Sequence, residues 1–425
     1  MNIRNIALRV ISRVLEEGAW LNKILTHFLF KIQDARDRAF LTELLYGTVK
    51  QKLRLDWTIS KFLEKYSIEE LPPYIRNILR LGTYEILFLN IPPYATVNEY
   101  VKLAKKVGHR GTAALVNALL RRISSERPEP REPWIKYSHP KWLYERWRKR
   151  MEEEECIKLM EYNNSPHVIF IRINTLKVTP SDFEKELKKN DVNFERLYFP
   201  ETLKITTPPQ FLPIGKSFYL VQDLSTQVAV HYLNPEHHST ILDMTAAPGV
   251  KTTHIAQLTS DTAWIVAVEK NKGRSRLIKD LGRRMGITNI DIVVGDSSYI
   301  SFKTRFQFIL LDAPCSGLGT LRRKPEIKWR IKENDIHRMS ILQKKLLENA
   351  ARLVKKGGFI LYSTCTIEPE ENEENIKYFL SKFTDFKLVT GKNIPENFVK
   401  NGFLFIEGIK YNCDYFFGAK LQKVR

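Results

Sequence analysis

Ile241-Leu242-Asp243-Met244-Thr245-Ala246-Ala247-Pro248-Gly249-Val250-Lys251-Thr252 runs from apolar residues through an acid into a string of small residues. It reads as a strand ending at Asp243, a tight turn, and the start of a helix. Small residues let a backbone come close to a ligand, and a helix N-terminus offers free N–H groups to it. The same pattern recurs downstream. Trp264 to Val268 ends in Glu269, Ile290 to Val294 in Gly295-Asp296, Phe308 to Leu311 in Asp312, and Phe359 to Tyr362 in Ser363-Thr364-Cys365. Helical stretches lie between, such as Ile341 to Val354. Apolar strands alternating with helices predict a doubly wound, mostly parallel α/β sheet of Rossmann-like type. Ligands of such sheets bind beyond the carboxyl ends of the strands. Here those ends carry Asp243, Glu269, Asp296, Asp312 and Cys365.

The chemistry at the strand ends narrows the ligand. Glu269 is placed to accept hydrogen bonds from ribose hydroxyls, and Asp296 to reach an adenine amino group. GxxxxGK[ST] is absent, which argues against a triphosphate loop, and GxGxxG is absent, which argues against a dinucleotide fold. S-adenosylmethionine is the nucleoside-bearing cofactor that remains.

Two cysteines are delivered to the same region, in Asp312-Ala313-Pro314-Cys315-Ser316-Gly317 and in Ser363-Thr364-Cys365-Thr366. A thiolate is a soft nucleophile that adds to pyrimidine C6 and leaves again easily. Cytosine C5 is too weak a nucleophile to take a methyl group unaided, and sulfur at C6 makes it enamine-like. Free cysteines are commonly buried packing residues. That alternative weakens for a pair, each beside a Ser or Thr at a strand end.

The rest of the 425-residue chain is organised around this half. Ile6, Val10 and Val14, widened by Ile3, Ile11 and Leu15, open a series of helical stripes that runs to about residue 125. Pro72-Pro73 and Pro92-Pro93 precede helix starts. Residues 1–125 therefore form an all-α bundle. Residues 126–134 lie in a Pro- and charge-rich linker, 135–217 form a small α+β domain, and 218–425 form the α/β domain. Lysine plus arginine number 68 against 48 acids, a net charge of +20, which suggests a polyanionic partner such as RNA. No run of apolar residues is long enough for a membrane span, and the N-terminus lacks a signal-peptide pattern. A cytoplasmic monomer is expected. Cys156, Cys315, Cys365 and Cys413 are too far apart for a zinc pair, so no metal is expected.

DAPCSGLGTLRRKPEIKWR (Asp312 to Arg330) and STCTIEPEENE (Ser363 to Glu373) resemble the motifs of the Sun/Fmu family of RNA cytosine-C5 methyltransferases. Residues 1–125 resemble the NusB RNA-binding domain, for example at Arg38-Ala39-Phe40 and Leu45-Tyr46-Gly47-Thr48. Together they point to the bacterial RsmB type, which acts on 16S ribosomal RNA. The resemblance implies that Cys365 is the nucleophile and that Cys315 assists breakdown of the adduct. It implies that Asp312 contacts the cytosine edge and helps place the methyl donor. Thr245, Ala246, Ala247, Pro248, Gly249, Val250 and Lys251 would form the cofactor loop, with Glu269 on the ribose, Asp296 on the adenine and Arg274 beside them. Val250 departs from the family, which has a second glycine there. A β-branched residue demands an ordinary backbone at that position.

Arg322, Arg323, Lys324, Lys328, Trp329 and Arg330 form the most basic local patch, expected to hold RNA phosphates while Trp329 stacks or packs. His254 reads as a helix residue, and Glu368 to Glu374 as a helix start whose acids offset the dipole. Two rival functions remain at this level. One is the same chemistry on transfer RNA. The other is a non-catalytic RNA-binding assembly or antitermination factor, against which the intact Cys315, Cys365, Asp312 and Glu269 argue.

Overall fold

The computed structural model describes residues 2–64 and 67–424, and the chain divides into two compact units. The first comprises Met1–Pro166 with Leu321–Ile331, and the second His167–Thr320 with Lys332–Arg425.

The first unit is built from α1 (Ile3–Leu15), α2 (Leu21–Leu29), α3 (Ala35–Lys50), α4 (Lys52–Ser60), α5 (Pro73–Phe88), α6 (Pro93–Val107) and α7 (Arg110–Glu126). The short α8 (Pro133–Lys136), α9 (Lys141–Arg148) and α10 (Glu153–Asn164) follow. The stripe read from the sequence is the buried one: Ile6, Val10, Ile11 and Val14 of α1 all enter the core. Asn2 and Asp34 cap α1 and α3 with side-chain oxygens, and Pro73 and Pro93 occupy first-turn positions that need no N–H donor. Helices α8–α10 group with this unit. The boundary expected after residue 134 is therefore not where the compact units divide.

The second unit holds two sheets. The small one orders β1 (Ile169–Ile173), β2 (Phe194–Arg196), β3 (Thr202–Ile205) and β4 (Tyr219–Val221) as β2-β3-β1-β4, with every pair antiparallel. Helix α11 (Pro180–Lys189) covers it with Phe183 and Leu187 against Ile171, Ile173 and Leu203. After α12 (Leu224–Leu233) the large sheet begins. Its parallel core is β5 (Thr240–Asp243), β6 (Trp264–Glu269), β7 (Ile290–Val294), β8 (Phe306–Asp312) and β9 (Val354–Thr364), with α13 (Val250–Leu258) and α14 (Lys272–Met285) as crossovers. The chain then gives a helical turn, α15 (Ile327–Arg330), to the first unit and resumes with α16 (Glu333–Leu353).

The order β7-β6-β5-β8-β9 reverses direction between β5 and β8, and that switch point is where a ligand crevice opens. Beyond β9 the sheet departs from the mostly parallel expectation. After α17 (Glu373–Lys382), β10 (Phe386–Val389), β11 (Val399–Lys400) and β12 (Phe403–Ile406) lead through α18 (Gly408–Tyr411) to β13 (Phe416–Lys423). Strand β13 pairs antiparallel with β9, β10 and β12. These strands are short and separated by loops, so their sequence carries little period-2 signal. Among the described residues no helix is long and apolar enough to cross a membrane.

Candidate active site

The turn after β5 is shaped by its small residues. Gly249 has φ +100°, a left-handed conformation that a side chain would strain, and a Cβ there would lie 3.2 Å from the Ile278 backbone of α14. Val250 then opens α13 with an ordinary helical backbone, as its β-branch demands. Asp243, fully buried, accepts from Thr252 Oγ1 at 2.7 Å and from the Thr245 N–H at 3.3 Å. Burial pushes its carboxyl up to about 6.

The expected cofactor residues converge on this turn. Glu269 ends β6, 7 % exposed, with Oε1 accepting from the Asn271 N–H at 2.8 Å. Arg274 donates to the Ala247 carbonyl at 3.0 Å, and its guanidinium lies 3.9 Å from Glu269 Oε2. Asp296 follows β7, held by Lys270 Nζ at 2.8 Å and by the Ser298 N–H at 3.0 Å. The hydrogen bond from Lys270 lowers the Asp296 carboxyl below the ordinary range. Two acceptor-only acids at the ends of adjacent parallel strands, beside Ala246 and Ala247, suit a ribose and an amino-bearing base. Lys251 is not left to meet a triphosphate, because its ammonium lies 2.5 Å from Asp312 Oδ2.

Asp312 is the hinge of the next cluster. The β8/β9 register sets it directly beside Ser363, whose hydroxyl donates to Asp312 Oδ1 at 3.0 Å. Thr245 Oγ1 donates to the Asp312 carbonyl at 2.8 Å. Three residues beyond Asp312 and two beyond Ser363, the sulfurs of Cys315 and Cys365 approach to 3.4 Å. Neither is in a disulfide. The hydrogen bond with Cys365, with burial behind it, pushes the Cys315 thiol well above its ordinary value.

The basic patch is where the structure corrects the sequence reading. Residues 321–331 are part of the helical unit, and most of the patch faces inward. Lys328 is 1 % exposed and donates to the Lys50 carbonyl at 2.8 Å, the Ser138 carbonyl at 2.8 Å and Asn164 Oδ1 at 3.0 Å. Trp329 Nε1 donates to the Val49 carbonyl at 2.8 Å. Arg330 reaches the Val14 and Ala19 carbonyls at 3.1 and 2.6 Å. Arg322, buried, donates to Tyr162 Oη at 2.8 Å and to the Pro166 carbonyl. Val14, Val49 and Lys50 sit in the last turns of α1 and α3, where carbonyls lack intrahelical donors. A cation and an indole N–H satisfy those carbonyls as readily as they would a phosphate. Lys328, Trp329 and Arg330 are thus spent largely on helix ends and Arg322 on Tyr162 and the Pro166 carbonyl, while Arg323 and Lys324 stay half-buried.

Sequence reading missed the residues behind the cysteines. Glu371 and Asn372, within the acidic run read as a helix start, are buried and hydrogen-bonded around Cys315 and Cys365. Only Glu373 and Glu374 lie in the first turn of α17. The available signal was the hydroxyl residue after each cysteine, Ser316 and Thr366, which would need a buried partner. His254 belongs to a separate network. Arg172 can only donate, so it fixes the Gln222 carbonyl toward itself and the amide NH₂ toward His254 Nδ1. The His254 proton therefore lies on Nε2, facing Glu201 at 3.4 Å, with His231 Nε2 at 2.7 Å from the same oxygen. Glu201, His231 and His254 are close enough to share an ion, but this polarity fills the space with protons.

A doubly wound sheet with acids at the ends of β6 and β8 and paired sulfurs after β8 and β9 defines a cofactor-dependent methyltransferase domain. Comparison with known proteins identifies which kind. Residues 230–422 match the family model described as 16S rRNA methyltransferase RsmB/F, 1–125 the NusB family, and 139–211 the RsmF/B-like ferredoxin-like domain. The probable ribosomal RNA small subunit methyltransferase B of Bacillus subtilis is 32 % identical, with 99 % of each chain covered. Among solved structures, that titled PH0851 superposes with a TM-score of 0.86 at 30 % identity, over 100 % of this chain and 99 % of its own. NSun6 from Pyrococcus horikoshii, solved with SFG, gives 0.60 at 25 % identity, over 67 % of this chain and 98 % of its own. The chain belongs to the RsmB/F family and is an S-adenosylmethionine-dependent RNA (cytosine-C5) methyltransferase.

Proposed function

We propose that this chain methylates C5 of a cytosine in 16S ribosomal RNA through a covalent bond between Cys365 Sγ and C6 of the base. The observation that carries the reading is the 3.4 Å approach of the Cys315 and Cys365 sulfurs beside Asp312 at the sheet's ligand-binding edge. The Cys365 thiolate adds to C6 and breaks the aromatic system, so that C5 gains the electron density of an enamine. Bound S-adenosylmethionine supplies the methyl group that C5 takes up. Loss of the C5 proton then restores the C5–C6 double bond and expels the Cys365 sulfur, with Cys315 beside it assisting that release.

Asp312 has both oxygens anchored, one by Lys251 and one by Ser363, and each keeps lone pairs to accept from the cytosine amino group. Thr245 to Lys251 form the loop for the methyl donor, Glu269 takes its ribose, Asp296 its adenine, and Arg274 braces the loop at Ala247. SFG, an S-adenosylmethionine analogue with which NSun6 from Pyrococcus horikoshii was solved, supports S-adenosylmethionine as the methyl donor. A target cytosine in structured RNA must leave its stack to reach the two sulfurs.

The test is a denaturing gel with labelled 16S ribosomal RNA. Cys315→Ala should accumulate RNA-linked protein that RNase removes, Cys365→Ala should abolish methyl transfer, and the double variant should give no adduct. A well-folded Cys315→Ala protein without any RNA-linked species overturns the mechanism. Mapping 5-methylcytosine with and without the gene tests the substrate, and loss confined to transfer RNA overturns the ribosomal target.

A further inference from the structure

Behind the two sulfurs lies a buried polar layer that the mechanism above does not use. Glu371, 0 % exposed, accepts from the Ser316 N–H at 2.8 Å through Oε1 and from the Ser316 hydroxyl through Oε2. Gln343 donates to the same Oε1 at 3.0 Å and to the Pro314 carbonyl at 2.8 Å. Pro314 and Ser316 are the residues on either side of Cys315. The next residue in the chain does the same for the other sulfur. Asn372 Oδ1 accepts from Thr364 Oγ1 at 2.5 Å, and its Nδ2 donates to the Thr366 carbonyl at 3.1 Å. Thr364 and Thr366 flank Cys365. The Ser316 and Thr366 hydroxyls, 2.8 Å apart, link the two halves, and Thr366 also reaches the Glu371 carboxylate.

A buried hydrogen-bonded group holds its neighbour to one geometry, because leaving the donor or acceptor unpaired costs about 1–3 kcal/mol. A small displacement of a reacting group is expensive in rate. We propose that Glu371 and Asn372 are positioning residues that divide the cysteines between them, Glu371 fixing Cys315 and Asn372 fixing Cys365. Their adjacency in the turn before α17 then sets the spacing of the two sulfurs. This rests on the two-sulfur reading of the mechanism, and it deepens that reading by assigning each half of the layer to a different step. Glu371 serves release of the adduct, and Asn372 serves its formation.

The experiment follows the full chain with 16S ribosomal RNA and labelled S-adenosylmethionine, reading both single-turnover methyl transfer and RNA-linked protein on denaturing gels. Glu371→Ala should behave like Cys315→Ala: adduct release slows by about tenfold or more, and RNA-linked protein accumulates while methyl transfer stays near normal. Asn372→Ala should behave like Cys365→Ala: methyl transfer slows by about tenfold or more, with no accumulation. Milder variants guard against misfolding. Glu371→Gln keeps the shape of the side chain but weakens its hold on the Ser316 N–H and hydroxyl, and Thr364→Val removes one hydroxyl from the Asn372 side; each should shift its own step in the same direction.

A structural role alone would lower thermal stability and slow both steps together. The proposal is overturned if the 371-side and 372-side variants share one profile, or if neither changes either step. Cys315→Ala and Cys365→Ala, run in parallel, separate this outcome from failure of the underlying mechanism. If those two controls do not split into trapped and inactive forms, the two-sulfur reading has failed first.

Discussion

The Lys251 ammonium stands 2.5 Å from Asp312 Oδ2, so one ion pair joins the turn after β5 to the loop that carries Cys315. Ser363 holds the other Asp312 oxygen, and Ser363 lies two residues before Cys365. Asp312 is therefore the point at which the turn after β5 and both cysteine loops meet. It owes that place to the β8/β9 register and to Lys251 opening the first turn of α13.

Lys251→Met and Asp312→Asn should each slow methyl transfer, and the double variant should cost less than the sum. Groups in direct contact commonly couple by about 0.5–3 kcal/mol in such a cycle. Single-turnover rates for the four proteins measure it; fully additive losses would mean that the pair does not act as a unit.

Glu269→Ala should weaken S-adenosylmethionine binding by about 10- to 150-fold, the loss of a charge-assisted hydrogen bond worth about 1.5–3 kcal/mol. Glu269→Gln keeps an acceptor for the Asn271 N–H and should lose less. Calorimetry decides, and an unchanged affinity in Glu269→Ala removes that residue from the ribose.

Lys328→Met should destabilise the helical unit without touching RNA affinity. It strips the donor from the Lys50 and Ser138 carbonyls and from Asn164, each orphaned acceptor costing about 1–3 kcal/mol, offset in part by removal of a buried charge. The slope of RNA binding against salt should stay as it is, since that slope counts phosphate contacts. A fall of about one unit in the slope would return Lys328 to the RNA surface.

Acid should weaken the second unit through His254. Burial, with Arg172 behind it, depresses the imidazole from 6.5 to about 3. Between those values the unfolded chain binds the proton and the folded chain does not, so the His254 contribution falls as pH falls. Glu201, held below the ordinary carboxylate range by its histidine hydrogen bonds against the opposing effect of burial, adds to the loss at lower pH. Asp243, raised by burial to about 6, works the other way between pH 6 and about 4, because its folded form takes up a proton first. The His254 share is isolated by His254→Gln. Its stability should be less acid-sensitive than that of the parent protein, by up to about 1.4 kcal/mol per pH unit between pH 6 and 4. Parallel curves in urea titrations would show that His254 is not the group responsible.

Local pattern and composition determined the helical stripes and the apolar strands up to β9, and left the short strands β10 to β13 unread. The i, i+4 stripe of Ile6, Val10 and Val14 is legible because a helix must bury one face whatever it packs against. The strand ends at Asp243, Glu269 and Asp312 are legible because an apolar run stops where the strand leaves the core. The motifs around Cys315 and Cys365 carried the resemblance to RNA cytosine-C5 methyltransferases, a family to which the chain belongs. Partners distant in the chain belong to the tertiary structure alone. Lys328 meets the Lys50 carbonyl across 278 residues and Trp329 meets Val49 across 280, and a lysine reads the same in sequence whether it ends on a phosphate or on a helix terminus. Glu371 reads as a surface acid until the fold brings Ser316 to it from 55 residues away. Periodicity is written along the chain, whereas the acceptor that a buried donor finds is set by which elements pack together, and only the folded molecule decides that.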